Sequence, residues 1–365
     1  MAEIKLENVS KAFGSFAAVR ELTLTVADGS FFVVLGPSGC GKTTTLRMIA
    51  GLELPSAGRI LLDGEDVSGR RAAERDIAFV FQLFALYPHM NVRQNIGFPL
   101  RCQNVAWAEI GRRVEETARL LRIAHLLERR VGGLSGGDRQ RVALGRAIVR
   151  RPKAFLMDEP LGVLDAEFRR LMCGELRELH DRIGATTVYI THDQVEAMAM
   201  ADRIAVMNRG AVEQVGTPQE IYDWPGTMFV ADFLGTPPMN FLRFDGALRR
   251  GDRRVRVNGA ALDIPELRDD GAKGALALGV RPEHVSLDDA SPLRGRVFGV
   301  EYLGTTQIVT IATSHGQVKA RLSSSTTARI GETVGLGLDH DRISVFNAAS
   351  GRALKTAFHE GAARG

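Results

Sequence analysis

The chain has 365 residues, of which 45% are hydrophobic and 25% charged, and its net charge is +4. Two or three domains with their own cores are expected at that length, in a composition ordinary for a globular protein. No apolar run approaches the ~18 residues that span a bilayer, so any work at a membrane is expected to need partner subunits. Residues Met1–Lys5 carry no apolar core of a secretory leader, and Cys40, Cys102 and Cys173 have no framework spacing, which fits a reducing cytoplasm. Basic and acidic residues balance at 29 each up to Gly235, and the excess, 18 against 14, lies beyond it. Arg249, Arg250, Arg253, Arg254 and Arg256 supply much of that excess, but acidic residues are interspersed and no aromatic platform accompanies them. A solvated strand face is expected there rather than a nucleic-acid patch.

The first thirty residues alternate as a hairpin or meander, with Ile4, Leu6, Val9, Leu22, Leu24 and Val26 apolar. Phe13 sits at the turn, as a loop anchor or as a ring for stacking on a base. Phe31–Leu35 is a short buried strand, followed by Gly36-Pro37-Ser38-Gly39-Cys40-Gly41-Lys42-Thr43-Thr44 and a helix that Gly51 would end. Strand, glycine-rich turn and helix are the context of a phosphate-binding loop. Gly36, Gly39 and Gly41 let backbone N–H groups face an anion at a helix N-terminus. Lys42 adds a positive charge, and the Thr43 hydroxyl can ligate Mg²⁺.

A turn at Leu54–Gly58 leads to a strand at Arg59–Asp63, and a second buried strand, Ile77–Phe81, ends at Gln82, an amide able to meet a metal-bound water. Between Tyr87 and Pro152 the texture changes: Ile110, Val114, Ala118 and Leu121 recur at helical spacing, marking an inserted helical subdomain. At its end stands Leu134-Ser135-Gly136-Gly137-Asp138-Arg139-Gln140-Arg141, before a helix expected from Val142 to Arg150. Serine and two glycines at a helix start make an ordinary N-cap or a second anion site.

Ala154–Met157 is an apolar strand that delivers Asp158 and Glu159 to one end of a sheet. Two adjacent carboxylates there are costly without a cation, which favours a functional role. Asp158 can hold Mg²⁺ through water, and Glu159 is placed to polarise an attacking water. Leu161–Asp165 is a loop, followed by an amphipathic helix with Phe168, Leu171, Met172, Leu176, Leu179 and Ile183 expected inward. A strand at Thr187–Thr191 ends at His192, which would share a sheet edge with the two acids. After helical turns near Pro218–Tyr222 and Thr227–Leu234, Gly235–Pro238 reads as a linker. The short runs beyond it, among them Arg254–Val257 and Gln307–Ile311, describe a small all-β domain, expected to be a barrel.

This set of motifs resembles the ATP-binding cassette ATPases. Gly36–Thr43 matches Walker A, Gln82 the Q-loop, Leu134–Asp138 the signature, Ala154–Asp158 Walker B and Leu161–Asp165 the D-loop. Glu159 falls at the catalytic glutamate, His192 at the switch histidine and Phe13 at the aromatic that stacks on adenine. Phe84–Met90, Thr191–Met198, Pro237–Leu242 and Gly279–His284 are similar to the ATPase subunits of carbohydrate importers such as those for maltose and glycerol 3-phosphate. The resemblance implies an α/β P-loop ATPase domain over 1–235, its helical subdomain at about 87–152, and a regulatory OB-like domain over 236–365.

It further implies a homodimer that closes on ATP and Mg²⁺. Ser135, Gly136, Gly137 and Asp138 of one copy would cap the triphosphate held by Lys42 of the other. Thr43, Gln82 and Asp158 would serve the metal; Lys42, Gln82, Glu159 and His192 would serve the reaction. Two membrane permease subunits and an extracytoplasmic solute-binding protein are the implied partners, at the cytoplasmic face of the membrane and without nucleic acid. A soluble ATPase uncoupled from transport is the alternative, although the chain has neither tandem cassettes nor a long coiled coil. Two positions depart from the family pattern: Asp138 stands where glutamine is common, and Gly162-Val163 replaces Ser-Asn in the D-loop.

Overall fold

The structure is a computed structural model that describes residues 2–162, 164–257 and 259–360. Two compact units divide it, Met1–Pro218 and Gln219–Gly365. The division precedes the Gly235–Pro238 stretch that reads as a linker in the sequence.

The first unit opens with β1 (Ile4–Phe13) and β2 (Phe16–Val26), an antiparallel hairpin. Then come β3 (Phe31–Leu35), α1 (Lys42–Ala50), β4 (Ala57–Leu62), β5 (Glu65–Asp66) and β6 (Ile77–Val80). Helices α2 (Val92–Cys102), α3 (Trp107–Leu120) and α4 (Gly136–Ile148) form the expected helical insertion. The unit ends with β7 (Ala154–Asp158), α5 (Ala166–Ile183), β8 (Thr186–Thr191), α6 (Gln194–Met200), β9 (Arg203–Asn208) and β10 (Ala211–Gly216).

Two sheets result. One is antiparallel, in the order β2-β1-β4-β5; the other runs β10-β9-β3-β8-β7-β6 and is parallel except for β10. Every residue of β3, β7 and β8 is buried, the continuous apolar pattern of strands covered on both faces. Side chains of both sheets and of α1 share one core. The C-terminal end of α1 is tied down by Arg75, 1% exposed, whose guanidinium donates to Met48 O at 2.6 Å and Ile49 O at 2.9 Å. Met48 O also accepts from the Gly51 amide that caps the helix, at 3.2 Å, and the cation adds a donor to both carbonyls and opposes the negative end of the dipole.

Two expectations shift. Helix α4 starts at Gly136 instead of Val142, because the Ser135 side chain accepts from Asp138 N and caps it there. In α5, Leu171 is 55% exposed, while the buried stripe is Met172, Cys173, Leu176 and His180. At 3.6 residues per turn Leu171 falls off the 172/176/180 row.

The second unit begins with two short helices, α7 (Pro218–Asp223) and α8 (Met228–Phe233), continues mainly as β-strands, and has one more helical turn, α9 (Ala357–Glu360). A sheet built on Asn240–Leu248, Ala272–Val280 and Ser344–Asn347 shares one apolar core with a five-stranded sheet spanning Val285–Leu338. The helices are held to it by Arg281, which donates to Tyr222 O at 2.8 Å and Ala231 O at 3.0 Å and lies over the Tyr222 ring. Arg254 and Arg256 are exposed, and alternate with buried Val255 and Val257, the solvated strand face expected from the sequence.

Candidate functional site

Three parallel strands bring the site together. Leu35 pairs with Thr191 and Asp158 with Ile190, so the loop after β3, the acids ending β7 and the histidine after β8 meet at one carboxyl edge of the sheet. That is the edge where open α/β sheets bind ligands.

The loop from Gly36 to Thr44 is a tight backbone cradle. A Cβ on Gly36 would lie 2.3 Å from Met207 O, and one on Gly41, whose φ is +107°, 2.6 Å from Ala18 O. Gly39 also has a left-handed φ of +77°. Pro37, Ser38 and Gly39 line the outer part of the turn, Ser38 and Gly39 exposed, and Cys40 is 4% exposed beneath them. The buried Lys42 Nζ donates to Gly36 O at 2.7 Å and Pro37 O at 3.0 Å. Thr43 Oγ1 donates to Asp158 Oδ1 at 3.2 Å, while Thr44 follows it in the first turn of α1. Burial pushes the Asp158 carboxyl above its ordinary range, against the Thr43 hydrogen bond. A hydroxyl and a carboxylate, both hard oxygen donors, beside a charge that lacks a full counter-charge form a set that fits Mg²⁺.

Glu159 follows in a left-handed conformation, φ +43°, at a cost of about 1–2 kcal/mol for a residue with a Cβ. Its amide donates to Ile190 O at 3.1 Å, which turns the side chain toward β8. There His192 Nδ1 lies 3.0 Å from Glu159 Oε2, within hydrogen-bond distance. Gln82 lies two residues beyond Val80, which pairs with Met157. Strand β6 itself ends at Val80, short of Gln82. The Gln82 amide nitrogen would be 3.7 Å from a Cβ on Gly162, which places it beside the D-loop. Val163 lies outside the described residues.

Phe13 closes β1, is 48% exposed and carries Lys11 Nζ 4.9 Å above its ring. Its cross-strand partner Phe16 is 63% exposed, and Ala18 of the same strand abuts Gly41 in the loop. The hairpin therefore presents two rings near the loop, where the sequence pattern points to only one.

Ser135 to Asp138 are elsewhere. Their contacts are with one another, with Arg141 and with the start of α5. A Cβ on Gly137 would strike the Phe168 ring at 2.2 Å, and one on Gly136 would reach Leu164 Cδ2 at 3.3 Å. Ser135 Oγ donates to Asp138 Oδ2 at 2.7 Å, and Arg141 lies 3.4 Å from Asp138 Oδ1 while holding Glu175 at 2.9 Å. The contacts of Ser135–Asp138 are thus with α4, the start of α5 and Leu164 before it.

Two further residues are not evident from the sequence. Arg169 in the first turn of α5 donates to Asp193 Oδ2 and Leu164 O, each at 2.9 Å; a cation so near a helix N-terminus is unfavourable unless paired, which is the signal it offers. Arg146 donates to Phe84 O and Ala85 O at 2.8 and 2.7 Å, beside a cavity of about 300 Å³ lined by Phe79, Phe81, Tyr87 and Phe98.

The chain is similar to known proteins over most of its length. Residues 19–162 match the ABC transporter family and residues 278–346 the TOBE domain. The trehalose/maltose import ATP-binding protein MalK of Thermococcus litoralis is 47% identical, over 97% of this chain and all of that protein. The trehalose import ATP-binding protein SugC of Mycobacterium tuberculosis is 43% identical over 97% of this chain and 98% of its own. The sn-glycerol-3-phosphate import ATP-binding protein UgpC of Ruegeria pomeroyi is 48% identical over 87% and 88%. Among solved structures, CbiO1 of Clostridium perfringens, part of the CbiONQ ABC transporter complex, superposes with a TM-score of 0.56 at 28% identity, over 60% of this chain and 89% of that one. A dimeric bacterial ABC transporter cassette gives 0.53 at 30% identity, over 59% and 98%.

Proposed function

The chain belongs to the ATP-binding subunits of ABC importers, and we propose that it powers uptake of a carbohydrate or a sugar or polyol phosphate through two membrane permease subunits. It binds nucleotide and is an ATPase of the ABC type, converting ATP and water to ADP and phosphate. The observation that carries the solute class is identity of 43–48% over 87–97% of the chain to subunits named for trehalose, maltose and glycerol 3-phosphate import. The same relatives speak against the uncoupled soluble ATPase.

In this reading the triphosphate lies in the backbone cradle of Gly36–Thr44, and Lys42 Nζ turns from Gly36 O and Pro37 O to the phosphate oxygens. Phe13, helped by Phe16, stacks on the adenine. Thr43 and Asp158 would hold Mg²⁺, with Gln82 near it, and the bound cation would supply neutralising charge for the phosphoryl oxygens. Glu159 takes the water's proton, and His192 Nδ1 holds the carboxylate in place while the far side of its ring faces the terminal phosphate. Ser135–Gly137 supply the missing donors from a second copy of the chain, so that closure completes the site. Asp138, bonded to Ser135 and Arg141, trims that edge.

The aromatic cavity beside Arg146 is the surface proposed for a permease subunit; Phe81, which helps line it, directly precedes Gln82, the residue proposed to report on the nucleotide. No helix among the described residues is long and apolar enough to cross a membrane, and the chain is proposed to sit peripherally at the cytoplasmic face. The extracytoplasmic solute-binding protein acts through the permease, and 236–365 is proposed as the regulatory domain. Reconstitution with candidate permease and solute-binding subunits tests the reading. ATP-dependent accumulation of a labelled sugar or sugar phosphate is expected, and accumulation of an unrelated solute alone would refute the assigned class.

A further inference from the structure

Between the half-site at Ser135–Gly137 and the Glu159–His192 pair lies one continuous set of contacts. It starts where the Phe168 ring presses on Gly137, leaving no room for a Cβ. The next residue, Arg169, reaches three ways. Its guanidinium donates to Leu164 O at 2.9 Å, donates to Asp193 Oδ2 at 2.9 Å, and lies 3.6 Å from Glu196 Oε1. Asp193 in turn caps α6, accepting from Val195 N at 2.7 Å and Glu196 N at 3.4 Å, and it directly follows His192. Glu196 is 3% exposed and accepts from the Tyr189 hydroxyl at 2.7 Å within the core. The three partners of Arg169 thus belong to the D-loop, the turn carrying His192 and the helix behind it.

We propose that Arg169 is a positioning residue that couples engagement of a second copy at Ser135–Gly137 to the geometry of Glu159 and His192. A ring wedged against a glycine and a planar fork held on three sides do not deform gradually. Packed groups of this kind shift together between discrete arrangements. Displacement of Gly137 by a partner's nucleotide therefore moves Phe168 and Arg169, and Arg169 moves the Asp193 cap and the histidine before it. An arginine suits this because its five donors spread over one rigid plane, whereas the three donors of a lysine radiate from a single nitrogen and do not span the same separated partners.

The inference rests on the function proposed above, in which Glu159 activates water and Ser135–Gly137 meet the other copy's ATP. The test uses the full-length chain with Arg169→Met, Arg169→Lys, Gly137→Ala and the Gly137→Ala/Arg169→Met pair, and Glu159→Gln as reference. Steady-state kcat and KM for ATP are measured per nucleotide-binding-competent molecule, so a loss of folded protein does not count as a loss of rate. Arg169→Met is expected to lower kcat about 10- to 100-fold, the scale of a misplacement near 1 Å, with KM within twofold. Arg169→Lys should recover part of the rate, and the double variant should lose less than the product of the two single losses.

Wild-type kcat in Arg169→Met overturns the coupling, as does KM rising in step with the fall in kcat, or a double variant that loses the full product. If the methionine variant does not fold, the lysine variant decides, since wild-type kcat there means that the three-way fork is dispensable. Hydrolysis surviving in Glu159→Gln overturns the underlying function and the proposal with it. Hydrolysis lost there but intact in Arg169→Met overturns the proposal alone.

Discussion

The Ser135 hydroxyl donates to Asp138 Oδ2 at 2.7 Å, and its oxygen accepts from the Asp138 amide at 3.1 Å. The serine that would donate to a second copy's triphosphate is therefore already donating to a carboxylate of its own chain. To meet a phosphate it must leave that acceptor, and the acceptor's charge then repels the newcomer. Asp138→Gln removes the charge and weakens the competing bond by about 1 kcal/mol, the difference between a charged and a neutral acceptor. ATP-driven dimerisation, followed by light scattering in a Glu159→Gln background, should tighten about 3- to 10-fold. An unchanged midpoint would show that Asp138 does not restrain the serine.

Glu159 is the base in the proposed reaction, and His192 orients it across 3.0 Å. Glu159→Gln should reduce hydrolysis by a factor on the order of 10²–10⁴ while ATP binding is retained. His192→Ala should also lower kcat, with binding kept. A Glu159→Gln protein that hydrolyses ATP near the wild-type rate would remove the glutamate from its role.

Asp158 carries a stability signature of its own. Burial raises its folded pKa above the ordinary 3.8 of an aspartate, despite the Thr43 hydrogen bond. A carboxyl whose folded pKa is raised binds its proton more tightly in the folded state. Its favourable contribution is complete below the unfolded pKa and is lost as pH rises through the folded one. At neutral pH the ionised carboxylate therefore costs stability in the nucleotide-free protein. Asp158→Asn should raise the unfolding temperature at pH 7, by an amount that shrinks as the pH is taken down toward about 4, and should abolish hydrolysis. A lower unfolding temperature at pH 7 would mean that the Thr43 bond outweighs the burial.

Cys40 sits inside the phosphate loop at 4% exposure, and burial pushes its thiol above the ordinary 9.0 despite the nearby Lys42 charge. The thiolate is the form that alkylates. Modification by iodoacetamide in a Cys102→Ser/Cys173→Ala background should be slow at pH 7 and still rising between about pH 8 and 9.5. ATP should protect, and the modified chain should not bind nucleotide. Rapid alkylation at pH 7 with full activity kept would contradict this picture of the loop.

Much of the site is legible in the amino-acid sequence, because its demands are local. Gly36, Gly39, Gly41, Lys42 and Thr43 must lie within one short stretch to make a single cradle, and Ser135 must directly precede the helix it caps, so chemistry and spacing appear together in the chain. An apolar strand ending in two acids is equally local, and Asp158-Glu159 stands out for that reason. Element ends are less legible: α4 starts at Gly136 because a serine side chain claims the Asp138 amide, a choice between neighbouring caps of similar energy.

What only the tertiary structure decided is which distant groups touch. That Glu159 bonds His192 follows from the register Asp158–Ile190, since a shift of one residue would turn the histidine to the other face. Arg75 looks like any surface arginine in sequence, yet it is buried against the end of the phosphate-loop helix. Arg169 reads as one charge on an amphipathic helix, and only packing brings Leu164, Asp193 and Glu196 around it. The sequence alone determined where the glycine-rich loop, its lysine and the two acids at a strand end fall, because backbone turns and strand ends are set by neighbouring residues. The folded chain decided how those groups are held and linked, because that depends on contacts between segments far apart in sequence.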